Sequence, residues 1–226
     1  MDIVKLIYRP LTTRAARHGL VGRVRARSSP DRGRFTRADV TGLLDAAWKR
    51  YDAEVDTLAE QPTAGSTMNV RLACFTYSIF DALLTSGVER AYAIELVADA
   101  TWNVYRTWAQ LASVADRLAP GKTSALAFAV RDKGTAEGTG TVHLRFPFDA
   151  PGYRIETVPA ARGTAFDVVH CPVAEYFRAH GAADLCVASW CNLDFPLSEI
   201  THQKLIRTQT LVQGATHCDF RILPAD

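Results

Sequence analysis

Hydrophobic residues fall at helical spacing through the first half of this chain and at alternating spacing through its last third. From Thr36 onward, Val40, Leu43, Leu44, Trp48 and Tyr51 share one side, which predicts a helix ending before Pro62 and Gly65. A second helix is expected from Asn69 to Thr85, stopped by Ser86-Gly87. The third is the clearest: Ile94, Val97, Thr101, Val104, Trp108, Leu111, Ala115 and Leu118 follow alternating three- and four-residue steps, and Pro120-Gly121 ends the run. Trp102, Tyr105 and Trp108 on that helix read as core, because an aromatic row at helical spacing more often packs than binds a cofactor.

After Pro151 the period drops to two. Strands are predicted over 153–158 and 164–170, joined by a turn at Ala160 to Gly163, after an earlier strand over 142–146. Pro172 opens a short helix reaching His180, a second covers 182–190, and Phe195-Pro196 is expected to halt the chain. Further strands follow over 203–211 and 218–223. This order predicts an α+β fold, with N-terminal helices packed on one face of a C-terminal, mostly antiparallel sheet that carries two short helices. Residues 1–35 show no sustained periodicity and read as a basic arm that needs a partner surface for order. The remainder, 36–226, reads as a single domain with a helical part over 36–120 and a sheet-containing part over 141–226.

Composition bounds the function classes. With 226 residues, 48% of them hydrophobic and 22% charged, the chain has globular proportions. A net charge of +2 argues against nucleic acid as a partner of the whole molecule. Arg9, Arg14, Arg17, Arg23, Arg25, Arg27, Arg32 and Arg34 crowd the arm, but aromatic residues do not alternate with them as base stacking requires. No segment approaches the roughly 18 apolar residues of a membrane span, so no membrane partner and a cytoplasmic location are expected. Five irregularly spaced cysteines argue for reduced thiols rather than a disulfide framework. Gly121-Lys122-Thr123 lacks the earlier glycine of a P-loop, and Gly134, Gly138 and Gly140 lack the dinucleotide-binding order. A homo-oligomer stays open.

Chemistry-bearing residues crowd the last third. Cys171 falls at the N-cap of the helix begun by Pro172, where free N–H groups and the helix dipole favour a thiolate; a small buried hydrophobe is the alternative. Cys191 and Asp194 are spaced to lie side by side, as a nucleophile and proton carrier would, or as a buried thiol and a capping carboxylate. In the strand that follows, Leu205, Arg207, Gln209 and Leu211 share a face, so Arg207 requires an anionic partner or a pocket. Cys218, Phe220 and Ile222 face one way and Asp219, Arg221 and Leu223 the other, with His217 turned from Cys218 unless the strand bends. Zinc held by Cys171, Cys191, Cys218 and a histidine is an alternative to a metal-free site, although no paired ligand spacing such as C-x-x-C occurs.

The string His170-Cys171-Pro172-Val173-Ala174-Glu175-Tyr176-Phe177, the run from Asp184-Leu185-Cys186 to Cys191-x-x-Asp194, and Arg207-Thr208-Gln209-Thr210-Leu211 followed by Gly214 and Cys218-Asp219-Phe220-Arg221 resemble the L-2-amino-thiazoline-4-carboxylic acid hydrolase family. The resemblance implies hydrolytic opening of a C–N bond in a small, cyclic amidine-like, carboxylated substrate without an organic cofactor, in an enzyme open to recruitment into a biosynthetic pathway. Cys191 would attack the ring carbon, with Cys171 or Cys218 as replacement nucleophiles. Asp194 would move protons, with His217 a second acid/base, and Arg207 or Arg221 would clamp the substrate carboxylate beside Gln209 and His170. The Cys191, Asp194 and Cys218 set also resembles organomercurial lyases, where thiols capture the metal and an aspartate protonates carbon. A non-enzymatic small-molecule-binding protein on the same scaffold is the third reading.

Overall fold

The computed structural model describes residues 3–118, 152–200 and 203–224. Its helical half comprises α1 (Ile3–Leu20), α2 (Arg37–Glu54), α3 (Ala64–Thr85) and α4 (Arg90–Leu118). Reciprocal caps start two of these. Thr36 accepts from the Asp39 N–H while the Asp39 carboxylate accepts from the Thr36 N–H, and Thr63 and Ser66 repeat the arrangement on α3. Hydrogen bonding to Thr36, aided by Arg25, pulls the Asp39 carboxyl down to about 2. Gly87, at a φ of +84°, ends the turn after α3.

Helix α1 replaces the irregular arm expected there. It runs through Pro10 and docks mainly by small residues: Ala15 and Ala16 are buried and Gly19 approaches Ala100 of α4, with Leu20 the one large buried side chain among its described residues. The segment after it folds back on itself, Val24 bridging Arg34. Its arginines find partners within the chain, Arg23 on Asp99, Arg27 on Glu95 and Arg25 on Asp39. The surface this basic stretch meets is therefore the chain's own, through Glu95 and Asp99 of α4 and Asp39 of α2.

The sheet has the order β1-β2-β4-β3, from strands β1 (Arg154–Val158), β2 (Thr164–His170), β3 (Gln203–Ile206) and β4 (Cys218–Pro224), with every neighbouring pair antiparallel. The α+β class expected from the residue pattern is thus present. Register sets Phe166 opposite Phe220 and Val168 opposite Cys218, so one face is apolar and the two rings stack at 4.9 Å. At the β1–β2 turn Gly163 has a φ of +78°, and a Cβ there would collide with the Ile222 carbonyl. Strand β3 is shorter than predicted. The Thr208 and Gln209 N–H groups donate to the Asp219 carboxylate, at 2.9 and 2.8 Å, instead of extending the ladder.

Three short helices occupy the stretch where two were expected: α5 (Pro172–Ala179), α6 (Ala183–Ser189) and α7 (Asp194–Ile200). Pro196 does not halt the chain. It sits in the first turn of α7, where its missing N–H has no intrahelical partner to lose. Phe177 and Leu185 join Trp48, Phe75 and Leu96 in the main core, and Asn69 of α3 donates to the Tyr153 hydroxyl at 3.0 Å, tying the helices to the sheet. Among the described residues no helix is long and apolar enough to cross a membrane. The predicted strand over 142–146, the Gly121-Lys122-Thr123 motif and the glycines 134, 138 and 140 lie outside the described residues.

Candidate active site

Between the apolar sheet face and helices α4, α6 and α7 lies a cavity of about 170 Å³. Phe166, Val168, Phe220 and Ile222 form its floor; Tyr105, Trp190, Leu193 and Leu197 face them. Cys171, Cys186, Cys191 and Cys218 all line it, together with Asp194 and Arg207.

The break between α6 and α7 builds the chemical centre. Helix α6 ends at Ser189, Trp190 takes a non-helical conformation, and a 3-10 turn over Cys191–Leu193 leads into Asp194 at the start of α7. This change of direction carries Cys191 back to Cys186, their sulfurs 3.9 Å apart. Trp190 is pinned by its indole N–H, which donates to Thr76 of α3 at 3.3 Å. Arg207, just beyond β3, closes the arrangement: one guanidinium nitrogen reaches Asp194 Oδ2 at 2.7 Å and the other donates to the Cys191 carbonyl at 2.8 Å. The guanidinium lies over the Phe195 and Phe220 rings, 5.0 and 5.2 Å from their centroids, and its side chain is 3% exposed. The anionic partner that a buried arginine needs is therefore Asp194.

These contacts set the protonation states. Burial raises the Asp194 carboxyl and Arg207 opposes the rise, leaving it at about 6. Asp194 keeps 23% of its side chain open yet lies deep in the protein, so burial dominates. The two close thiols share their titration: Cys186 retains its proton and donates toward Cys191, which lowers Cys191 and raises Cys186. Burial and the Asp194 charge act against the lowering at Cys191, and Arg207 supports it.

The other two thiols are placed differently. Cys171 does cap α5, its sulfur accepting from the Ala174 N–H at 3.4 Å, but the expected thiolate does not follow. Burial pushes its pKa far up, outweighing the opposing cap contact. Cys218 accepts from the Leu211 N–H at 3.2 Å, and burial pushes it up to about 11. In the lyase-like arrangement the second thiol would be Cys218, whereas the sulfur in contact with Cys191 is that of Cys186.

The remaining candidates sit elsewhere. Arg221 pairs with Asp167 at 2.8 Å, and His217 Nε2 is 3.6 Å from the same carboxylate and 2.8 Å from Gln209 Nε2. Asp167 alternates with Phe166 and Val168, so this group lies on the sheet face turned from the cavity. His170 contacts the Gly152 carbonyl and Glu175, at 3.0 and 3.1 Å. Among the described residues no group of three or more His, Cys, Asp or Glu side chains is disposed to hold a metal ion. Cys186, Trp190 and Tyr153 were not among the predicted site residues; the i to i+5 approach of Cys186 to Cys191 depends on the helix break and has no periodic signature.

The family model of L-2-amino-thiazoline-4-carboxylic acid hydrolase matches residues 109–222, a stretch that contains all four cavity cysteines, Asp194 and Arg207. The chain belongs to this family. No curated protein and no solved structure matches it. Within the L-2-amino-thiazoline-4-carboxylic acid hydrolase match, the cavity residues come from β2, β3, β4, the three short helices and the α6–α7 break, while α1, α2 and α3 precede the matched region.

Proposed function

We propose that the protein is a cysteine-dependent hydrolase that opens a C–N bond in a small cyclic amidine-like substrate, with Cys191 as nucleophile and Asp194 as proton carrier. The observation that carries this reading is Arg207, which bonds the Cys191 carbonyl and the Asp194 carboxylate at once and so ties the turn that bears the thiol to the carboxylate at the cavity wall. The Cys191 sulfur adds to the electrophilic ring carbon as its proton passes to Asp194, whose pKa near 6 suits both uptake and release near neutrality. Asp194 then gives the proton to the departing ring nitrogen as the C–N bond breaks, leaving the opened substrate attached to sulfur. Water attacks that carbon, returns a proton through Asp194, and releases the product and the thiol. Apolar walls keep further water from the intermediate.

Hydrolysis of L-2-aminothiazoline-4-carboxylate and a panel of cyclic amidines, lactams and imines, followed by mass spectrometry as gain of one water, tests the assignment. Cys191→Ala is expected to lose about a thousandfold or more in turnover, and Cys171→Ala and Cys218→Ala less than about tenfold. Full turnover by Cys191→Ser would sink it.

A further inference from the structure

Two residues five apart in a regular α-helix lie about 7.5 Å apart along the axis and about 140° apart around it, so their side chains point away from each other. Cys186 and Cys191 have that spacing, yet their sulfurs are 3.9 Å apart. The chain leaves the helical path at Trp190, and the 3-10 turn starts at Cys191 itself. The two thiols differ in access: Cys191 is partly exposed on the cavity, whereas Cys186 is buried and belongs to the main core. They differ in charge as well. Cys186 donates its proton toward the Cys191 sulfur, which leaves Cys191 the readier of the two to ionise. Cys171 and Cys218, the other cavity thiols, accept from the Ala174 and Leu211 N–H groups. A partly exposed sulfur that ionises readily, with a second thiol in contact, is the arrangement in which a sulfenic acid is captured as a disulfide.

We propose that Cys186 and Cys191 form a peroxide-responsive pair, in which Cys186 captures oxidised Cys191 as a reversible disulfide. The Cys191 thiolate attacks hydrogen peroxide: an S–O bond forms, the O–O bond breaks, sulfur gives up two electrons to become the sulfenic acid, and hydroxide leaves. The Cys186 sulfur then attacks the sulfenic sulfur. The S–S bond forms, the S–O bond breaks, and the hydroxyl departs as water with the Cys186 proton. A thiol reductant restores both thiols by exchange. Closing the 3.9 Å gap to the roughly 2 Å of a sulfur–sulfur bond falls at the junction of α6 and the 3-10 turn, where the backbone at Trp190 already departs from the helix. The consequence for turnover rests on the hydrolase reading: the disulfide masks the nucleophile and spares it the irreversible sulfinic acid.

Wild-type protein treated with about ten equivalents of hydrogen peroxide, alkylated with N-ethylmaleimide and mapped as tryptic peptides by mass spectrometry, tests the pair. Trypsin cuts after Arg178 and Lys204, so Cys186 and Cys191 share peptide 179–204, while Cys74, Cys171 and Cys218 fall on others. The expected product is that peptide lighter by two hydrogens, unlabelled until reduced, and at least about tenfold more abundant than Cys191 sulfinic acid. A disulfide joining it to the peptide of Cys171 or Cys218, or sulfinic acid as the main product, overturns the proposal. In Cys186→Ser the same treatment is expected to carry Cys191 on to sulfinic acid, with at least about tenfold less free Cys191 thiol recovered by dithiothreitol than in the wild type. Equal recovery overturns the proposal. A disulfide within peptide 179–204 while turnover continues undiminished bears out the pair and counts against Cys191 as the hydrolytic nucleophile.

Discussion

Replacing Arg207 with glutamine would leave the Asp194 carboxylate buried without its compensating charge, a change that typically costs about 3–5 kcal/mol. The same change alters proton affinity. Asp194 already stands at about 6 against an ordinary 3.8, so its ionisation opposes folding: the stability it contributes is complete below 3.8 and is lost as pH rises through about 6. Without the guanidinium its pKa rises further. If ionised Asp194 receives the thiol proton, kcat/KM falls as pH drops through about 6, and in Arg207→Gln that acid limb moves to higher pH. Arg207→Lys, which keeps a positive charge but not the two-pronged contact, should shift the limb less while still lowering kcat. A pH profile with the same acid limb in all three proteins would remove Asp194 from the proton pathway or Arg207 from its control.

Among the elements, α1 and the α6–α7 break depart most from the residue pattern. The three long helices after α1 were legible because large apolar residues recur along them, and the antiparallel β1–β2 pair was legible from alternation and its glycine turn. Helix α1 was not, because it docks through Ala15, Ala16 and Gly19 rather than a stripe of large residues, and Pro10 reads as a breaker. Leu20 is the large side chain that anchors its end, 2% exposed. Leu20→Ala should therefore destabilise the protein by about 2–5 kcal/mol, read as a lower urea midpoint. An unchanged midpoint would show that α1 rests on the molecule without stabilising it. The pairing of Cys191 with Asp194 was visible as a three-residue spacing, but the approach of Cys186 and the burial of Cys171 arise only when α6 breaks and the sheet closes over the cavity.

Across the whole molecule, the helical half supports a chemical centre that lies in the other half. Asn69 holds Tyr153, Thr76 holds Trp190, and Tyr105 of α4 meets Trp190 edge-on at 6.2 Å, so α3 and α4 orient the wall against which the Cys191 turn is built. Fold class and the family could be read from residue pattern and resemblance. The partition of candidates between two sheet faces could not be settled there. Alternation separates Phe220 from Arg221, but only the closed structure puts His217, Gln209 and Arg221 around Asp167 and away from the cavity. Covalent attachment of the ring carbon to Cys191 can be caught by acid-quenching the protein during turnover, digesting it and mapping the peptides by mass spectrometry. The opened-ring mass is expected on the peptide containing Cys191 and absent from Cys191→Ala; the same adduct on Cys171, Cys186 or Cys218, or continued turnover with no adduct on any thiol, would show that Cys191 is not the nucleophile.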